Sequence, residues 1–212
     1  MYYVVNRINF PKTEDAFNLY FASSKTGGID VDCETGKIAL AQNEIVSTNS
    51  YFNSFYESYY AKYTNLNSLY YLLRLNGDFQ VSVYREGYER ERELLGQETF
   101  KQCQMTDGVK IALPTLQQSH TPQGRIYLEI QCLSDRGIFV EGAIVTEEQP
   151  VRNISLAIIS CTFKKEAYIK NTVKTIFQDP LLANKSWQIF VVDNGQTLNE
   201  DDFPDAKLQL IP

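Results

Sequence analysis

Arg125-Ile126-Tyr127-Leu128-Glu129-Ile130-Gln131-Cys132 alternates apolar and polar side chains without a break. Ile126, Leu128, Ile130 and Cys132 fall on one face, and Arg125, Tyr127, Glu129 and Gln131 on the other. Side chains alternate across a β-strand, so the run reads as a strand with one buried and one wet face. Phe79 to Tyr84 repeats the pattern. Leu69 to Leu75 precedes it, and the intervening Asn76-Gly77-Asp78 reads as a hairpin turn. Asp32-Cys33-Glu34-Thr35-Gly36-Lys37-Ile38 reads as a second hairpin, and Gly137 to Ala143 as a last strand after the turn Ser134-Asp135-Arg136-Gly137. Short antiparallel strands with turns every 8–12 residues or so predict a mainly β fold: an antiparallel, jelly-roll-like β-sandwich over residues 1–150. A short helix within Phe55–Lys62 is the expected exception.

From Pro150 the periodicity changes. Ser155 to Thr162 is an apolar run ending in small polar residues, the pattern of a strand buried on both faces of a parallel sheet. In Glu166 to Gln178, the residues Ile169, Val173, Ile176 and Phe177 share one helical face, with Lys170 and Lys174 opposite. Asp179-Pro180 ends the helix. Trp187 to Asp193 reads as a second buried strand, followed by Asn194-Gly195. The order is β-α-β, a partial Rossmann-like α/β unit over residues 151–212. The short junction Glu147 to Asn153 predicts two halves that dock against each other.

Composition narrows the chemistry. The chain has 212 residues and a net charge of -6. Residues 1–150 carry 13 Lys and Arg against 19 Asp and Glu, while 151–212 carry 7 of each. An acidic chain argues against nucleic acid as a partner. No run approaches the roughly 18 apolar residues of a membrane span, and the first residues do not read as a signal peptide. Cys33, Cys103, Cys132 and Cys161 stand far apart and read as buried, reduced thiols of a cytoplasmic protein. The single histidine, His120, falls in a polar loop and reads as solvated. Glu200-Asp201-Asp202 follows the second strand too closely for a metal motif, and Asp201-Asp202-Phe203-Pro204-Asp205 reads as an exposed loop. No metal ligands are assigned in this chain.

Ligands of open α/β sheets bind beyond the carboxyl ends of the strands. Two segments end there: Ser160 to Glu166, and Val192-Asp193-Asn194-Gly195-Gln196. Asp193 offers acceptors for a base N–H or a ribose hydroxyl. Lys164 or Lys165, beside a helix N-terminus, suits a phosphate. Neither GxGxxG nor GxxxxGK[ST] occurs, which disfavours dinucleotide oxidoreductases and P-loop enzymes. The same residues also fit a plain turn and a solvated face.

These motifs resemble the opening of a family-2 glycosyltransferase of GT-A fold: an apolar strand ending Cys161-Thr162-Phe163-Lys164-Lys165, a helix, then Phe190-Val191-Val192-Asp193-Asn194-Gly195. Upstream, Tyr51-Phe52-Asn53 and the Leu69 to Tyr84 run are similar to the N-terminal sandwich of galactofuranosyltransferase-like members. The resemblance implies that Thr162 meets the nucleotide, that Lys165 takes the place of the usual Arg, and that Asp193 contacts the uracil or ribose. Lys165 keeps the charge of that Arg but lacks its planar fork. Asn194 and Gly195 then form the turn that approaches the nucleoside. It implies a nucleoside diphosphate sugar, a UDP-sugar with galactofuranose as the suggested donor, and a polysaccharide acceptor. Mg or Mn belongs to the intact enzyme, with its ligands and the catalytic base outside residues 1–212. The chain therefore reads as the N-terminal portion of an inverting transferase, inactive by itself. A cytoplasmic location, peripheral at the inner membrane face, and a homo-oligomer are the accompanying expectations.

Two further classes remain open. Nine of the 21 residues from Tyr51 to Tyr71 are Tyr or Phe. Aromatic residues pack cores and interfaces, but they also stack on sugar rings. Tyr59, Tyr60 and Tyr63 are the candidates for a glycan platform, because a short helix cannot bury all three. That supports a non-catalytic carbohydrate-binding sandwich as the alternative. A structural or oligomerisation module would bind neither sugar nor nucleotide.

Overall fold

The computed structural model describes residues 1–23, 27–87, 91–114, 116, 124–203 and 205–212. His120 lies outside the described residues. The chain divides into two compact units, Met1–Gln149 and Pro150–Pro212.

The first unit contains, in chain order, β1 (Tyr3–Arg7), α1 (Phe17–Tyr20), β2 (Ala22–Ser23), β3 (Ile29–Asp32), β4 (Lys37–Ala41), β5 (Ile45–Ser47) and α2 (Glu57–Tyr63). It continues with β6 (Tyr70–Glu86), β7 (Arg92–Cys103), β8 (Gly108–Ala112), β9 (Arg125–Cys132) and β10 (Arg136–Thr146). All their ladders are antiparallel. The architecture is a nearly closed, mainly antiparallel β-sandwich.

β6 is the shared element. Its first half, Tyr70–Asn76, pairs with β8 on one edge and β10 on the other. Its second half, Phe79–Glu86, pairs with β7 and β9. One strand therefore belongs to both sheets, and the expected hairpin at Asn76-Gly77-Asp78 does not form. Gly77 has φ +111°, a conformation that favours glycine. The β7 register shifts between Gly77 and Phe79, so the chain bends there without reversing. Asp78 Oδ1 accepts the Gln102 N–H at 2.7 Å, and the Asp78 N–H donates to Ser134 Oγ at 3.1 Å. Local polar pairing thus secures the bend. The strands are also longer than expected, 17 residues for β6 and 12 for β7.

β9 spans the residues read as a strand. Ile126, Leu128, Ile130 and Cys132 are all fully buried, together with Val81, Leu73, Phe79 and Phe139. Tyr127 departs from the expected wet face and is 2% exposed. Its ring stacks on Tyr84 at 5.6 Å, and the Arg92 guanidinium lies 3.6 Å from the Tyr84 ring centroid. The β3–β4 hairpin forms as expected, with Gly36 at φ +64° and Asp32 Oδ1 accepting the Glu34 and Thr35 N–H groups.

α2 starts inside the expected stretch and runs one residue past its end. Phe55 is used in a β-bridge instead, exchanging two 2.8 Å backbone bonds with Ile126. Glu57, at the first turn, has no exposed surface and meets Arg85 through two hydrogen bonds, 2.6 and 3.2 Å. Burial alone would lower the Arg85 pKa, but Glu57 and Glu93 together raise it. The segment before α2 is tied by side chains. Asn53 is 3% exposed; its Oδ1 accepts the Asn9 N–H, and its Nδ2 donates to the Asn9 and Tyr20 carbonyls, at 2.8, 2.9 and 2.8 Å. This is the Asn of Tyr51-Phe52-Asn53, and its bonds explain why an amide stands there: it both accepts and donates.

The second unit has β11 (Ser155–Thr162), α3 (Glu166–Phe177), β12 (Ser186–Asp193) and β13 (Leu208–Ile211). The strands form a parallel sheet in the order β11-β12-β13. Ile169 and Val173 of α3 pack with Trp187, Ile189 and Val191, and the Trp187 indole donates to the Leu182 carbonyl at 3.0 Å. β11 departs from the expected burial on both faces, since Leu156, Ala157, Ile159 and Cys161 are exposed. It is an edge strand, and α3 covers one face of the sheet only. Cys161 thus departs from the buried-thiol expectation, as does the half-buried Cys33, while Cys103 and Cys132 follow it. No helix among the described residues is long and apolar enough to cross a membrane.

Candidate functional site

Thr162 closes β11 and Asp193 closes β12, and the parallel register sets them side by side. The Thr162 carbonyl accepts the Asn194 N–H at 3.0 Å, joining the two following turns. Gly195 lies so close to the other turn that a Cβ there would sit 2.9 Å from the Lys164 backbone nitrogen and 3.3 Å from Asp193 Oδ1. The glycine is required for space, since its φ is not in the left-handed region. Lys164 and Gln196 do adopt positive φ, +52° and +51°, so both turns hold a non-glycine residue in a sparsely populated conformation.

Asp193 is 1% exposed. Its Oδ1 accepts the Gly195 N–H at 3.0 Å, and its Oδ2 accepts the Thr197 and Leu198 N–H groups at 2.6 and 2.8 Å. Burial alone would push the carboxyl up, but these backbone donors, with Gln196, hold it below its ordinary value. The carboxylate organises the loop that follows it. Asn194 is exposed at the tip, as are Gln196 and Thr197 after it.

Lys165 precedes α3, and its carbonyl accepts the Tyr168 and Ile169 N–H groups at 3.1 Å each. Its side chain is exposed, with Nζ 6.0 Å from the Tyr168 ring centroid; Lys164 Nζ lies 5.3 Å from that of Phe163. A shallow cavity of about 210 Å3 is lined by Thr162, Lys165, Tyr168 and Thr172 among others. An ammonium beside a helix N-terminus favours an anion there. Sequence reasoning assigned no separate role to Glu166, whose carboxyl is held below its ordinary value chiefly by the neighbouring Thr197 side chain. The start of α3 thus lies beside the Asp193 loop. An acid in the first turn of a helix was the available signal.

The structure therefore brings together Thr162, Asp193, Asn194 and Gly195, with Lys165 on the same cavity as Thr162. It does not assemble a divalent-cation site there. Among the described residues no group of three His, Cys, Asp or Glu side chains converges to hold a metal. Glu200–Asp202 is a 3-10 turn rather than a plain exposed loop, and Asp202 bonds Lys170 Nζ at 2.6 Å and the Asn199 N–H at 3.0 Å.

On the first unit, Tyr59 and Tyr63 are exposed, 62% and 63%, with ring centroids 4.9 Å apart. Tyr60 is instead half-buried and stacks on the core residue Phe55 at 4.5 Å.

The chain belongs to the galactofuranosyltransferase 2 N-terminal family, whose profile matches residues 5–146. Within curated proteins it is similar to galactofuranosyltransferase GlfT2 of Mycobacterium tuberculosis (strain ATCC 25618 / H37Rv), 24% identical over 200 residues. The match takes in 92% of this chain and 31% of that relative's length. Among solved structures, a glycosylation-associated protein (Gap123) complex from Streptococcus agalactiae matches at 12% identity and a TM-score of 0.34, over 82% of this chain and 70% of that one. A mutant of the family 29 carbohydrate-binding module CBM29-2, complexed with cellulohexaose, matches at 14% identity and a TM-score of 0.36, over 68% of this chain and 89% of that one. Likeness at this level defines no architecture; the strand register does.

Proposed function

We propose that this chain is the N-terminal part of an inverting, nucleotide-sugar-dependent glycosyltransferase of the GT-A type, with a UDP-sugar, UDP-galactofuranose, as donor and a glycan as acceptor. Its family membership supports a glycosyltransferase-related role. The observation that carries the finer reading is the junction of the two turns at the carboxyl ends of β11 and β12. There Thr162 and Lys165 line one cavity, and Asp193 shapes the loop that presents Asn194. In this reading Lys165 faces a phosphate, Thr162 and Asn194 hydrogen-bond the nucleoside, and Gly195 lets the turns close. Asp193 acts by positioning that loop, since its oxygens are committed to backbone N–H groups. In the reaction, the acceptor oxygen bonds to the anomeric carbon as that carbon's bond to the diphosphate oxygen breaks. The diphosphate leaves with the electron pair, and a base takes the hydroxyl proton. Mg or Mn belongs to the intact enzyme, and none of the described residues is assigned as its ligand or as the base.

Titration of the labelled chain with UDP, followed by amide NMR, tests the reading. Saturable shifts confined to residues 160–166 and 192–197 are expected, with a Kd of about 1 mM, corresponding to a weak -4 kcal/mol or so. Lys165→Ala should weaken binding, and Gly195→Ala should abolish it by forcing the turns apart. Shifts scattered over both units, or none by about ten times that concentration, would sink the nucleotide assignment.

A further inference from the structure

We infer that the first unit carries a second binding site, an aromatic groove for a neutral saccharide chain formed where the Tyr51–Ser54 turn meets α2. The groove encloses about 400 Å3, within the ~300–1,000 Å3 common for ligand sites. Asn6, Tyr51, Phe52, Tyr56, Tyr59 and Tyr60 line it, and among the described residues no charged side chain does. Tyr51, Phe52, Tyr56 and Tyr59 are all substantially exposed, at 74%, 45%, 47% and 62%.

Exposed aromatic residues gathered at one place mark a contact surface. Here Tyr51, Phe52 and Tyr59 belong to two ring groups. Tyr51 meets Phe52 edge-on at 5.0 Å, and Phe52 stacks on Tyr20 at 4.8 Å. Opposite, Tyr59 meets Tyr60 edge-on at 5.8 Å, and Tyr60 stacks on Phe55. Both groups rest on fixed backbone: Asn53 pins the turn, and the Phe55–Ile126 bridge with the Glu57–Arg85 pair pins α2. The backbone that carries the rings is therefore fixed before any ligand arrives, which lowers the ordering cost of binding.

The chemistry selects the occupant. Sugar rings present apolar C–H faces and a rim of hydroxyls. Tyrosine matches both, with an apolar ring and a hydroxyl at its tip, and the Asn6 amide adds a donor and an acceptor. Charge points the same way. The groove is uncharged, and residues 1–150 hold six more acidic than basic side chains. Polyanions, including nucleic acid and anionic lipid, are repelled from such a unit. The site is independent of the nucleotide reading, because it lies wholly before Pro150. It moves the platform from Tyr59, Tyr60 and Tyr63 to Tyr51, Tyr56 and Tyr59, with Tyr60 as a buried support.

The test uses the whole chain and three linear neutral hexaoses, of glucose, mannose and galactose, by calorimetry and ring-proton NMR. At least one is expected to bind with a Kd of about 1 mM or tighter and to shift the Tyr51 and Tyr59 ring signals. Tyr51→Ala and Tyr59→Ala should each weaken it by about tenfold, and Tyr59→Phe by no more than about threefold. Where an alanine variant melts early, the ring shifts of the unaltered chain decide. Binding by none of the three up to about 10 mM overturns the proposal. So does binding that leaves the Tyr51 and Tyr59 rings unshifted. Loss of self-association in the alanine variants, without change in sugar affinity, would make the patch a protein interface instead. UDP shifts confined to residues after Pro150 neither mimic nor mask any of these outcomes.

Discussion

Replacing Asn53 by alanine removes one acceptor and one two-armed donor from a site that is 3% exposed. Three bonds disappear: the Asn9 N–H to Oδ1, and Nδ2 to the Asn9 and Tyr20 carbonyls. The Tyr20 carbonyl keeps the Ser50 hydroxyl at 2.5 Å, so it is not orphaned. The Asn9 backbone N–H and carbonyl both lose their bonds to Asn53, while the Asn9 side chain keeps the Arg7 carbonyl. At a net of about 1 kcal/mol per bond, the loss is about 3 kcal/mol. A unit of this size is stable by about 5–15 kcal/mol, so it should stay folded but melt sooner. With a urea slope of about 2 kcal/mol/M, the midpoint falls by about 1.5 M. Asn53→Asp is the sharper variant. It is isosteric and still accepts from Asn9, yet it sets a carboxylate oxygen against two carbonyl oxygens, so it should cost at least as much. The chain reports on its two units separately. Thirteen of the 14 tyrosines precede Pro150, while the single tryptophan, Trp187, lies after it. Near-UV tyrosine dichroism should show the early transition, and Trp187 fluorescence should not move. A midpoint change under about 0.5 M in both variants refutes the argument that the amide bonds hold this turn. An equal shift in the tryptophan signal refutes it too.

Two further outcomes follow from buried charge. Glu57→Gln leaves Arg85 with Glu93 and a neutral amide, and should cost the first unit about 2 kcal/mol, less than the ~3–5 kcal/mol of a fully orphaned buried partner. The double variant Glu57→Gln/Arg85→Met should recover part of that, and added salt should leave the loss unchanged. In the second unit Asp193, Glu166 and Asp202 all have carboxyl groups held below their ordinary values. Their unfolded forms bind protons first as pH falls, so the stability they confer is present above about pH 4 and is lost progressively below it. Urea melts followed by Trp187 fluorescence should show a falling midpoint from about pH 4 downward, and an unchanged midpoint down to about pH 2 would contradict the assignment.

Much of the architecture was legible where one periodicity ran unopposed. β9 has the bounds its alternation marks, and α3 runs from Glu166 to Phe177, one residue short of the expected end. The largest misreading was at Asn76-Gly77-Asp78, and its cause is physical. A hairpin turn and a strand bend both call for a residue at positive φ flanked by polar groups, so the local chemistry is the same. What separates them is the partner of each flank. Here the two halves of β6 pair with different strands, β8 and β10 against β7 and β9, which no local pattern encodes. Gly137 belongs to the same device: a Cβ there would lie 2.4 Å from the Phe79 ring, so the backbone of β10 passes directly over the bend. β11 failed for a related reason. Its apolar run signals an environment, and the exposure of Ile159 and Cys161 shows that only one face has found it.

The candidate site residues were legible as a set, but their division of labour was not. Asp193 is the clearest case. A carboxylate at the end of a parallel strand is chemically apt for a base or a ribose, and the same position lets it gather the N–H groups of the loop beyond it. Three close bonds to Gly195, Thr197 and Leu198 show that the second use is realised. An Asp193→Ala variant would therefore lose UDP through a collapsed loop as readily as through a missing contact, and loss of binding in it identifies no contact. Lys165 and Asn194 do not share this ambiguity. Both side chains are exposed, so each can be removed with the turns intact. If the crevice holds a nucleotide, Lys165→Ala should weaken a diphosphate more than a bare nucleoside, and Asn194→Ala should weaken both alike. That contrast separates the ligand's contacts from the scaffold that presents them.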